Sequence, residues 1–177
     1  MFEGSLKIPK KQMLVTLWVH PEGQVVAALF LHLPGPDTAR PEEPWDILNQ
    51  PEVFLVVKRD DQDEMRFYNK ASIIRVEYWD GSRDPSMDGN PIDCQLHMMD
   101  GSLLRGMISK ALAPERSRLY DYMNDNNERF LKVHLGGGDV TLINKSYVAY
   151  ISATEPVIAE PATETDGATP IELELAA

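Results

Sequence analysis

The chain has 177 residues and a mass of 19.9 kDa, enough for one ordinary domain or two small ones. Hydrophobic residues make up 43% and charged residues 25%, which excludes a wholly disordered chain. Its 17 basic and 28 acidic side chains give a formal net charge of -11, which argues against a protein that coats nucleic acid or lies on an anionic membrane.

Residues 1–12 form an N-terminal arm carrying Lys7, Lys10 and Lys11, without the apolar core of a signal peptide behind them. Residues 13–19 are rich in β-branched and aromatic residues, and His20-Pro21-Glu22-Gly23 closes them with a turn signal. A second strand is expected over 25–33. The uncharged run 24–36 is shorter than the ~20 residues of a bilayer span and is broken by Pro34, Gly35 and Pro36. With one cysteine and no export signal, a cytoplasmic protein is expected.

A proline-rich loop leads to one helical turn at 45–49, where Trp45 and Leu48 are three apart and can face one way. Strands are expected at 53–58, 65–68 and 73–78. The same order then recurs: strands at 92–98 and 103–109, a helix at 117–124, and strands at 130–135, 140–143 and 148–151. Trp45-Asp46-Ile47-Leu48-Asn49 lies over Tyr120-Asp121-Tyr122-Met123-Asn124, 75 positions on. Met65 to Lys70 falls over Val140 to Lys145 at the same spacing. Phe54-Leu55-Val56-Val57 matches Phe130-Leu131-Lys132-Val133 after a one-residue shift, and Val25 to Phe30 is set over Leu103 to Ile108. A period of this kind points to duplication. The expected organisation is an arm (1–12), a first β repeat (13–79), a linker (80–91), a second β repeat (92–153) and a tail (154–177).

The tail carries six acids, three prolines and no basic residue, the composition of a disordered acidic segment. Without it the net charge falls to -5. Its Ile171, Leu173, Leu175 alternation suits strand addition on a partner.

Two hairpins, a helical turn and a tight connection into a last strand give the order of a small five-stranded barrel. The Asp100-Gly101-Ser102-Leu103-Leu104-Arg105-Gly106 run resembles the start of the Sm-like pattern, a glycine turn into a bent strand. Tyr68-Asn69-Lys70-Ala71-Ser72-Ile73-Ile74 is similar to the turn into the last strand of bacterial Sm-like RNA chaperones. The whole resembles tandem small β-barrel domains, Sm-like or SH3-like, of bacterial proteins. That resemblance implies a mainly β fold of two tandem barrel-like repeats, each with one short helix. Asn69-Lys70 stands where the bacterial members carry an RNA-contacting histidine. About 65 residues make a thin core, so the halves are expected to cover each other, with Trp18, Trp45 and Trp79 as candidate contacts.

No catalytic set emerges. His20, His32, His97 and His134 lack chelating spacing, and no metal or cofactor is expected. Cys94, beside Asp93, reads as a buried inert thiol. The acidic run 60–64 and the 80–90 stretch lack the calcium-loop pattern. Gly136-Gly137-Gly138 lacks the lysine of a phosphate loop, and Arg116 and Arg118 are misplaced for a cyclic-dinucleotide barrel. The paired Asn69-Lys70 and Asn144-Lys145 suit chain reversals and are also the candidates for twin surface contacts. The expected function is a non-catalytic protein-interaction or scaffold module with a protein partner, homo-oligomerisation being one form of it. An Sm-like RNA binder using Lys7, Lys10, Lys11, Lys70 and Lys145 is the alternative.

Overall fold

The structure is a computed structural model that describes residues 10–34, 40–60, 64–81, 91–109 and 118–153. The loop 35–39, the acidic tip 61–63, most of the linker, residues 110–117 and the tail 154–177 lie outside the described residues.

Among the described residues ten antiparallel strands form one sheet. They are β1 (Lys10–Val19), β2 (Gly23–His32), β3 (Phe54–Arg59), β4 (Met65–Asn69), β5 (Ile73–Trp79), β6 (Ile92–Met98), β7 (Leu103–Ile108), β8 (Phe130–Gly136), β9 (Asp139–Asn144) and β10 (Val148–Ala153). Helix α1 (Pro44–Asn49) lies between β2 and β3, and α2 (Leu119–Met123) between β7 and β8. A 3-10 turn at Lys70–Ser72 leads into β5, and one at Lys145–Tyr147 leads into β10. The strand order is β10-β6-β7-β8-β9-β5-β1-β2-β3-β4.

The order expected from sequence is present, and the two halves meet in a single sheet. Strand β9 of the second half pairs with β5 of the first, from Arg75 opposite Ile143 to Trp79 opposite Asp139, and merges them into one sheet. The physical reason lies in the strand patterns. Val140 to Asn144 of β9 are all buried, and Arg75 and Val76 of β5 are buried in succession, a break in strict alternation that fits strands with neighbours on both sides. Strand β1 also begins earlier than expected. Lys10, Lys11 and Gln12 pair with His32, Leu31 and Phe30, so part of the presumed arm belongs to the first hairpin.

The ladders of the two halves agree in register. Leu17 lies opposite Val76 and Leu96 opposite Ile151; Leu29 lies opposite Val57 and Ile108 opposite Val133. These pairs set the first two strands of each half 79 positions apart, as Leu17 is from Leu96. Gln24 to Leu29 thus corresponds to Leu103 to Ile108. The sequence alignment of this hairpin was displaced by one residue, because it was anchored on Gly23 and Gly101. Those glycines serve their turns at φ 92° and 83° but do not occupy the same rung. In a strand, one residue is the difference between the two faces.

Two clusters of buried side chains fill the fold. One gathers Val15, Leu17, Leu29, Val57 and Ile73 with Phe130, Val140 and Leu142 from the second half. The other gathers Leu96, Ile108, Tyr122, Val133 and Ile143. Gly106 in β7 has no room for a side chain: a Cβ there would lie 2.5 Å from the His134 carbonyl oxygen. Its ladder counterpart in β2, Ala27, fits with complete burial. Gly106→Ala should therefore cost about 1–3 kcal/mol, the range of an overpacked core. Urea unfolding checks this; a change within about 0.5 kcal/mol would contradict the close β7–β8 approach.

Candidate functional site: the inter-half seam and the open edges

Each half ends its fourth strand with the same device. Asn69 Oδ1 accepts from Ala71 N at 2.9 Å, and Asn144 Oδ1 from Ser146 N at 3.1 Å, turning the chain through one 3-10 turn. The following lysine reaches back to a helix end. Lys70 Nζ donates to the Ile47 and Gln50 carbonyls at 2.6 and 3.0 Å. Lys145 Nζ donates to those of Tyr122 and Asp125 at 2.9 and 3.0 Å. A cation at a helix C-terminus satisfies carbonyls that the helix leaves unpaired and suits its dipole. Lys70 is 1% exposed. Burial holds its pKa below the ordinary lysine range, with the Arg129 charge acting the same way and Glu52 opposing. The two ammonium groups expected as surface contacts are thus turned inward onto backbone.

The paired asparagines diverge. Asn144 is fully buried, and its Nδ2 crosses the seam to the carbonyls of Lys70 (3.3 Å) and Ile73 (2.9 Å). Asn49, at the end of α1, also crosses. Its Oδ1 accepts from Phe130 N at 2.8 Å, and its Nδ2 donates to Phe130 O at 3.1 Å. Lys132 Nζ lies 2.7 Å from Glu43 Oε2, and Trp79 Nε1 donates to Gly137 O at 3.2 Å. Of the three tryptophans expected between the halves, Trp79 makes this crossing bond. Trp45 packs on the cluster that contains Phe130. Trp18 instead lies under Arg75, whose guanidinium carbon is 4.2 Å from its ring centre. At the matching rung of the second half His97 and Tyr150 stack at 4.0 Å.

Beyond the seam, β4 and β10 end the sheet without a partner strand among the described residues. Met65 and Phe67 of β4 are 48% and 67% exposed, and Phe54 at the start of β3 is 53% exposed. Tyr150 of β10 is 58% exposed. These edge residues were not singled out from sequence. The repeat sets Met65 and Phe67 over Val140 and Leu142, but only the strand order shows that the latter pair is buried at the seam and the former is left at an edge. Ile171, Leu173 and Leu175 lie outside the described residues.

A cleft of about 530 Å³ runs between the ends of α1 and α2, lined among others by Asn49, Gln50, Asp125, Arg129 and Lys145. Among the described residues no group of three His, Cys, Asp or Glu side chains could hold a metal ion. His134 is buried, and the His32 ring lies 2.9 Å from Glu42. Cys94 is buried against Gly106 O at 3.4 Å. Burial, with the adjacent Asp93 charge, pushes its thiol up to about 11. No helix of the described residues is long and apolar enough to cross a membrane. No protein-family model, curated protein or solved structure matches the chain.

Lys70→Met should destabilise the fold by about 1–3 kcal/mol, because the Ile47 and Gln50 carbonyls, both part-buried, lose their donor. An exposed binding lysine would change urea stability by less than about 0.5 kcal/mol, and that outcome would return Lys70 to the surface. The Cys94 thiol should resist a maleimide at pH 7.5 in the native protein and react once urea unfolds it. Rapid native labelling would contradict the burial and the raised thiol pKa.

Proposed function

We propose that the protein is a non-catalytic interaction module built from a duplicated small barrel-like unit, acting through the edges of its sheet. The observation that carries this reading is the β4 edge. An unpaired antiparallel edge with Met65 and Phe67 projecting from it, and Phe54 beside it, offers both backbone hydrogen bonds and apolar area to an incoming strand. The repeated element order supports the duplicated unit: β-β-α-β-β, a 3-10 turn and a last strand, twice. Within each half the strand neighbours run in the same order, β5-β1-β2-β3-β4 and β10-β6-β7-β8-β9. That is the order a small five-stranded barrel would take.

The inward setting of Lys70 and Lys145 removes two of the basic contacts that an Sm-like RNA binder would use, and the acidic balance works the same way. The tail alternation at Ile171, Leu173 and Leu175 stays with the interaction reading as a second strand donor.

Affinity capture of the tagged full chain from its own cell extract tests the reading, with Phe67→Asp in parallel. The substitution is on an exposed edge and leaves both buried clusters intact. A stoichiometric protein, retained after nuclease and lost with Phe67→Asp, is expected. Capture indifferent to Phe67→Asp, or RNA eluting as salt is raised, would contradict an edge-mediated protein module.

A further inference from the structure

The seam inside the chain specifies how a second copy would dock. In the seam, the fourth strand of one half (β9) pairs with the fifth strand of the other (β5). Among the described residues the repeat leaves the same two kinds of strand uncovered at the ends of the sheet: β4 is the counterpart of β9, and β10 the counterpart of β5. We infer that β4 of one copy pairs antiparallel with β10 of the next, with Tyr68 opposite Tyr150, Phe67 opposite Ile151, Arg66 opposite Ser152 and Met65 opposite Ala153. This inference rests on the edge-mediated reading above and names its partner.

The register is that of the seam carried over rung by rung. Arg75–Ile143, Val76–Leu142, Glu77–Thr141 and Tyr78–Val140 become Tyr150–Tyr68, Ile151–Phe67, Ser152–Arg66 and Ala153–Met65 when each residue is replaced by its repeat counterpart. Three further observations agree. First, burial differs where the copy would sit. Phe130, Val140 and Leu142 are buried by the other half, whereas their counterparts Phe54, Met65 and Phe67 are exposed apolar residues.

Second, the crossing asparagines have prepared counterparts. Asn69 holds the same turn as Asn144 but, among the described residues, its Nδ2 has no acceptor. In the docked copy it faces the Lys145 and Val148 carbonyls, as Asn144 faces those of Lys70 and Ile73. Asn124, anchored to Tyr120 O at 2.8 Å, holds the place of Asn49 and would meet the Phe54 backbone. Third, the acceptor cluster is apolar. Ile151 and Ala153 of β10 already pack with Leu96, Ile108 and Ile143, as β5 packs in the cluster that receives β9. One feature is not repeated. Val56 and Arg118 replace the Lys132–Glu43 ion pair, so the contact between copies lacks that bridge.

The contact is heterologous, the edge of one copy meeting the opposite edge of the next, so successive copies close into a ring when their rotation allows it. A closed ring has no free edge.

Native mass spectrometry and light scattering of the full chain at about 10–50 μM test this. A discrete mass that is a whole multiple of 19.9 kDa is expected, reduced to the single-chain mass by Phe67→Asp and unchanged by deleting 154–177. An equimolar mixture of Phe67→Cys and Ile151→Cys chains should oxidise to a disulfide-linked pair of the two variants, which neither gives alone. A single-chain mass for the wild type would overturn the inference. So would a multimer that survives Phe67→Asp, or one lost with the tail. A single-chain wild type that still captures another protein through β4 would leave the interaction reading standing; one that captures nothing would end both.

Discussion

The ladder between β5 and β9 is the constraint on which the rest of the fold depends. It joins strands from the two halves at five consecutive rungs, from Arg75–Ile143 to Trp79–Asp139. Through it Phe130, Val140 and Leu142 complete a cluster otherwise made of first-half side chains. A half of about 65 residues buries too little apolar area to be comfortably stable by itself. The second half supplies the missing wall, and two asparagines, Asn144 buried and Asn49 half-buried, pin it. Asn144 and Asn49 each span the seam with backbone hydrogen bonds, which a hydrophobic contact could not orient. Polar pins of this kind set register, while the apolar area beside them supplies most of the stabilisation.

The duplicated device at the strand ends shows how a repeat can keep its local structure and change its surroundings. Asn-Lys followed by a 3-10 turn is made alike in the two halves. In each, the lysine ammonium lies on the carbonyls at the end of a short helix. These helices have only six and five residues, too short to persist without tertiary support. The lysine ties each helix to the strand turn, and the turn feeds the last strand of the half. What differs is the neighbour outside. Asn144 is buried under β5, and Asn69 faces an uncovered edge. The open edges are therefore a consequence of the duplication: two copies in a row create one seam and leave one of each strand type without a partner strand among the described residues.

Strand and helix positions were legible in the sequence because alternation, breakers and the 75-residue spacing all act locally. Met65 to Lys70 over Val140 to Lys145 was found at the correct offset, as was the one-residue shift at Phe54 and Phe130. The hairpin of β1 and β2 was misplaced by one position, since a turn glycine is fixed by φ and not by the ladder. The merger into one sheet was not legible. Pairing between β5 and β9 is a long-range choice, and its trace in sequence is only that β9 is apolar or small at positions where β4 alternates. Lysine orientation was hidden for a related reason: Lys70 and Lys145 look like surface cations until the helix ends they serve are placed beside them. Edge residues such as Phe67 became visible only once the strand order said which strands stop the sheet.

Native-state hydrogen exchange resolved by residue distinguishes one cooperative sheet, joined through the β5–β9 ladder, from two independently opening halves. The Val76 and Leu142 amides should exchange only through the same global opening that releases Leu17 in β1 and Leu96 in β6, with one common free energy and one common urea dependence. Exchange of the β6–β10 amides at a distinctly lower free energy than those of β1–β5, with Val76 and Leu142 among the first to open, would contradict it and make the halves independent units.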